Sequence, residues 1–198
     1  MKRSLVGLSF ILGLLAASGP ARAEETVGTF TLDGLSFVSF GDQQYLFPAT
    51  GSTLRFHFLN VNEDGSIPFT LEPSEVSIAP IPLPSGSGTL TYHLVAPVTG
   101  FMRPTAEGRK IEFTAPIAAV LDAPEGTGYY TYTVPFTTET VAASNFQHTD
   151  TLAVTGMRLV SGVWYAQIVG ATTNKENAFP APGAAVTTVL SGSFDQVP

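Results

Sequence analysis

Over residues 110–137 apolar side chains recur at every second position, and this period constrains the chain more than any other feature. Ile111, Phe113, Ala115 and Ile117 alternate with Glu112, Thr114 and Pro116. After Asp122-Ala123-Pro124-Glu125-Gly126-Thr127-Gly128, Tyr130, Tyr132, Val134 and Phe136 alternate with Thr131, Thr133, Pro135 and Thr137. Successive side chains of a strand point to opposite faces, so each run carries one apolar and one polar face, and the Pro/Gly-rich connection suits a hairpin. A helix needs a period near 3.6, which no stretch sustains beyond a turn or two outside the first residues.

The other segments read as neighbours of this hairpin. Residues 53–59 set Leu54, Phe56 and Phe58 against Arg55 and His57, and Ile67, Phe69 and Leu71 form the return strand, with Pro68 placing it at an edge or bulge. Residues 89–98 alternate through Leu90, Tyr92, Leu94, Ala96 and Val98. In residues 28–40, Phe30 and Leu32 are even, and the phase moves to Leu35 and Phe37 after Asp33-Gly34, which predicts a bulge or tight turn. Pro80, Pro82 and Pro84 followed by Ser85-Gly86-Ser87-Gly88 predict a surface crossover over residues 79–88. Residues 151–157 and 163–169 predict a further hairpin, and residues 185–194 a last strand placed to pair with the first. The expectation is all-β: a single-domain antiparallel β-sandwich or barrel-like fold of about eight to ten strands. Several of these strands are shorter than the ~9 residues of an outer-membrane barrel span, and prolines interrupt others.

Lys2 and Arg3, the apolar run 5–17 and Ala21-Arg22-Ala23 have the form of a secretory signal peptide over residues 1–23, leaving one domain over 24–198. No later segment approaches the ~20 apolar residues of a spanning helix, so no membrane span is expected after cleavage. Removing 23 of 198 residues leaves 175, enough for a sizeable core. The presequence holds three of the nine basic residues and none of the sixteen acidic ones, so the remainder carries a net −10. Such a field repels phosphate backbones, which argues against nucleic acid as a partner and fits solubility outside the cell. With no cysteine there is neither a disulfide framework nor a thiolate metal site, and stability must come from packing.

Asn60, Asn62 and Asp64, with Gly65 in sixth place, open a calcium-loop pattern. It fails at the twelfth place, where Leu71 stands instead of a bidentate Glu, and Asp-Gly between alternating runs is the ordinary hairpin signal. A plain turn is the expectation and weak calcium binding the alternative; no other cofactor is implied. His57, His93 and His148 show no metal-ligand spacing, and Ser85-Gly86-Ser87-Gly88 follows prolines where a nucleophile elbow cannot form. Glu112, Glu125, Glu139, Asp122 and Asp150 supply acids for a glycosidase pair, but nothing in the sequence singles out two of them. Trp164 with Tyr165, and Tyr129 with Tyr130, are the candidate ligand-binding residues: neighbours on a strand face opposite ways, so one ring enters the core and the other is displayed to a carbohydrate or protein surface.

The sequence thus predicts a secreted or periplasmic, non-catalytic protein acting by binding or as a surface module. A hydrolase using a carboxylate pair and a barrel carrier of an apolar ligand are the alternatives. Exported material is expected to begin at Glu24; its intact mass tests this, and a retained Met1 would contradict it.

Overall fold

The computed structural model describes residues 25–48, 50–84, 86–106, 108–138 and 157–198. The expected signal peptide over residues 1–23 lies outside them, as does 139–156, which includes Glu139, His148, Asp150 and nearly all of the strand expected over 151–157.

Among the described residues, fourteen strands, all paired antiparallel, and one 3₁₀ turn at Pro73–Glu75 make up the regular structure. In chain order they are Thr26–Leu32 (β1), Phe37–Phe40 (β2), Gln43–Leu46 (β3), Thr53–Phe58 (β4), Ile67–Leu71 (β5), Val76–Ser77 (β6), Ile81–Pro82 (β7), Thr89–Leu94 (β8), Val98–Thr105 (β9), Gly108–Ala123 (β10), Gly126–Thr137 (β11), Arg158–Val160 (β12), Val163–Thr173 (β13) and Ala185–Phe194 (β14). This exceeds the expected eight to ten, because β6, β7 and β12 are two or three residues long and too short to display a period. No helix among the described residues is long and apolar enough to cross a membrane.

The pairings close on themselves. In the order β13, β11, β10, β9, β5, β4, β1, β14 and back to β13, eight strands form a hydrogen-bonded circuit. The first and last strands meet at Phe30–Phe194, as the sequence suggests. The two longest ladders branch outward from this circuit. One edge of β10 pairs with β9 over Gly108–Phe113 and with β8 over Ile117–Asp122, and β14 divides one edge between β1 and β2 in the same way. Pro116 stands where β10 passes from β9 to β8; it has no N–H to give, but its carbonyl accepts from Val95 at 2.9 Å. The β10–β11 connection is tighter than the composition implies. The ladder runs to Ala123–Gly126, and only Pro124 and Glu125 lie outside it, with Gly126 at φ 137°.

Three local expectations are corrected. Before β2 the buried phase remains even, through Ser36, Val38 and Phe40, and Leu35 and Phe37 are only half-buried. Ser36 can enter the core because its hydroxyl donates to the Ser191 carbonyl at 2.8 Å and accepts the Ser191 N–H at 2.9 Å, so a small polar residue is fully satisfied where apolarity alone favours its neighbours. Pro68 does not sit on an edge strand, for β5 lies between β4 and β9; its missing N–H falls where β4 ends, and its carbonyl accepts from Leu59. Within 79–88, Ile81 and Pro82 pair with Leu90 and Thr89 as an edge hairpin, with Ile81 buried.

Inside the circuit the expected apolar faces converge. Phe30, Phe56, Phe58, Phe69 and Phe194 pack ring to ring, and Phe113 and Phe136 stack with centroids 4.8 Å apart. Gly170 makes room for the second stack, since a methyl group there would lie 2.6 Å from the Phe136 ring. Phe136→Ala should therefore destabilise the fold by about 3–5 kcal/mol, and Gly170→Ala by about 1–3 kcal/mol through overpacking. Denaturant midpoints check both; an unchanged midpoint for Phe136→Ala would contradict its place in the core.

Candidate functional site

Antiparallel register places side chains of neighbouring strands side by side, and on the outer face this builds two rows running across the strands. The first row is Leu59, Pro68, Phe101, Glu112, Thr137 and Val169, from the end of β4 to β13. The second, two residues along each strand, runs through Thr70, Thr99, Thr114, Pro135 and Ala171. Where the rows cross β9, β10, β11 and β13 they line an open trough of about 550 Å³.

On the outer face the trough combines Thr99, Thr114 and Thr137, the ring of Phe101 and the carboxylate of Glu112 with the apolar side chains of Pro135, Val169 and Ala171. Phe101 is 40% exposed, with the Arg103 guanidinium 4.9 Å from its ring centroid. Glu112 is held by Lys110 at 3.0 Å and by Arg103 at 3.5 Å, and Arg103 also lies 3.8 Å from Asp64. These pairs are solvent-exposed and contribute little stability, but they leave the trough without an uncompensated charge at Glu112. The Thr137 hydroxyl is buried without a hydrogen-bond partner among the described residues. A buried hydroxyl left unpaired costs about 1–3 kcal/mol, so a group that turned it toward the trough and bonded it would recover that cost.

The aromatic doublets divide between faces as alternation requires, but they do not form one site. Tyr129 is 58% exposed on the outer face, 6.5 Å from His93 by ring centroids, while Tyr130 turns inward onto Phe179. Trp164 packs at the margin of the core beneath Arg109, and Tyr165, on the opposite face, is 37% exposed. From the Phe136–Gly170 pair, where β11 crosses to β13, Tyr129 and Tyr165 lie in opposite directions along the ladder. None of the four lines the trough. The residues that do were missed as a group, because Thr99, Phe101, Thr114 and Thr137 become neighbours only once register is known. The one signal in the sequence is the alternation of Thr99 and Phe101 with Val98, Gly100 and Met102.

Among the described residues the candidate acids Glu112, Asp122 and Glu125 do not converge either. Glu112 and Asp122 stand ten residues apart on β10, and Asp122 accepts from the Thr127 hydroxyl at 3.1 Å. Glu125 lies in the exposed hairpin tip. His57 is bracketed by Glu25 at 2.6 Å and Glu75 at 3.7 Å, with Arg55 on Glu75 at 3.1 Å, a surface ion cluster that begins beside Thr70, two strands from Thr99. Among the described residues no three His, Asp or Glu side chains are grouped to hold a metal ion.

The segment of Asn60, Asn62 and Asp64 has the geometry of a turn closed by its own side chains. Gly65, at φ 78°, donates its N–H to the Asn62 carbonyl, and Asn62 donates to the Ser66 carbonyl. Asp64 accepts from the Ser66 N–H at 2.9 Å and hydroxyl at 2.6 Å, and Asn62 donates its side-chain amide to the same hydroxyl at 2.9 Å.

Within the core, an apolar gap beside Tyr92, Phe113 and Ile117 has a volume of about 20 Å³, room for about one water. The Tyr92 hydroxyl meets Thr188 at 2.5 Å, and burial raises its pKa above the usual tyrosine value. Burial raises that of Tyr132 likewise, and its hydroxyl donates to the Phe179 carbonyl.

Comparison with protein families, with curated proteins and with solved structures finds no match to this chain.

The hydrogen bonds from Ser66 hold the Asp64 carboxyl below the usual carboxylate range. A depressed folded pKa contributes stability that is present above the unfolded value of about 3.9 and lost as pH falls through the lower folded value. Asp64→Asn should therefore flatten the acid limb of the stability profile below about pH 4. Because the Asp64 carboxylate is already engaged with Ser66, calcium to about 10 mM should leave the melting temperature unchanged. A rise with calcium but not magnesium, lost in Asp64→Asn, would establish a calcium site instead.

Proposed function

We propose that this chain is an exported, single-domain, barrel-like binding module, working outside the cytoplasm without catalysis, and that its ligand lies in the outer trough. The observation that carries this reading is the pair of cross-strand rows, which set a half-exposed ring beside a series of hydroxyls in an open concavity of about 550 Å³. Solvated faces of this kind need no concavity, whereas a binding face does.

The rivals find less support. A glycosidase pair needs carboxyls within about 5–10 Å, and ten strand residues separate Glu112 from Asp122 by roughly 33 Å. A carrier needs an interior of roughly 300 Å³ or more, and among the described residues the gap beside Tyr92 offers about 20 Å³. Phenylalanine rings occupy the space a ligand would take.

Adsorption of the purified protein to washed cell envelope and extracellular polymer tests this. The wild type should be retained, Phe101→Ala with Thr114→Val should be released about tenfold more readily, and the adsorbed material should be recovered undegraded. Equal retention of both proteins, or degradation of the material, would overturn the reading.

A further inference from the structure

We infer that the occupant of the trough is an uncharged polysaccharide chain laid across the strands, an inference that rests on the binding-module reading above. The first argument is what the trough lacks. Along the first row each of its four strands is paired on both sides: β9 with β5 and β10, β10 with β9 and β11, β11 with β10 and β13, and β13 with β11 and β14. No free strand edge therefore runs along that row, where recognition falls to side chains and not to an added strand.

The side chains present suit a sugar. A pyranose ring has a C–H face, which stacks on an aromatic plane, and a rim of hydroxyls that both donate and accept. Phe101, 40% exposed, supplies an aromatic plane that Arg103 covers on one face. Thr99 and Thr114 supply hydroxyls that donate and accept in turn, Glu112 an acceptor, and Thr137 a hydroxyl with no other partner among the described residues. The rows advance by one strand spacing, so the three steps from β9 to β13 span about 14 Å, the length of a short run of rings.

Charge decides between neutral and anionic chains. The protein is acidic, at −7 over the full sequence, and the two cations beside the trough, Arg103 and Lys110, are engaged with Glu112. A polyanion meets repulsion there and no uncommitted partner.

Native electrophoresis in gels cast with hydroxyethylcellulose, mannan or dextran, and with dextran sulfate for comparison, tests the inference on the full chain. At least one neutral polymer should retard the protein, and dextran sulfate should not. Phe101→Ala should weaken retardation about tenfold, and Thr99→Val and Thr114→Val by about three- to tenfold each. Phe101 is partly exposed, so its loss spares the core, and an unchanged thermal melt will show that each variant is folded. The inference is overturned if no neutral polymer retards the protein, if dextran sulfate retards it as strongly, or if Tyr129→Ala abolishes retardation while Phe101→Ala does not. Should Phe101→Ala with Thr114→Val lose envelope adsorption while no neutral polymer retards the wild type, the binding-module reading stands and the occupant is another class of molecule, a protein surface foremost.

Discussion

Twelve consecutive residue pairs join β10 to β11, and the rest of the molecule is arranged along that ladder. At sixteen residues β10 is long enough to serve two neighbours on its other edge, β9 first and β8 beyond Pro116. One end of the ladder therefore belongs to the closed circuit, while the other extends outward with β8 and β7. A proline in the middle of a strand ordinarily costs a ladder bond, but here it falls in the gap between two partners, where no donor is required.

The closed circuit makes the inward side one continuous apolar volume, filled by phenylalanine rings in tilted, edge-on and stacked pairs. Gly100 and Gly170 belong to this packing: each faces inward, and a side chain on either would press into the rings of Phe69 or Phe136. Interiors this full hold small gaps rather than chambers. The second, polar half of each alternating pattern is therefore displayed outside, where β9, β10, β11 and β13 set it side by side.

Much of the fold was legible one strand at a time. The inward positions of Leu54, Phe56, Phe58, Ile67, Phe69, Leu71, Phe113, Tyr132, Val134 and Phe136 follow from period two alone, as does the division of Tyr129 from Tyr130 and of Trp164 from Tyr165. The failures share a cause. Leu35 and Phe37 are more apolar than Ser36, but a hydrogen-bonded pair with Ser191, 155 residues away, reversed the preference. Pro68 reads as an edge residue until β4 is seen to end beside it. Little of the trough was legible: Phe101 and Thr99 are unremarkable in sequence and acquire neighbours only from residues 11 to 72 positions distant.

By itself the sequence determined that the chain is all-β and which face of each long strand turns inward, because the alternation of side chains is imposed by the backbone of a single strand and needs no partner. It also determined the acidic charge and the absence of cysteine. Only the tertiary structure decided which strands lie together and in what register, and with that the closure of the circuit and the two rows across its outer face. Register depends on how distant faces fill a common core, and no segment of the chain carries that information alone.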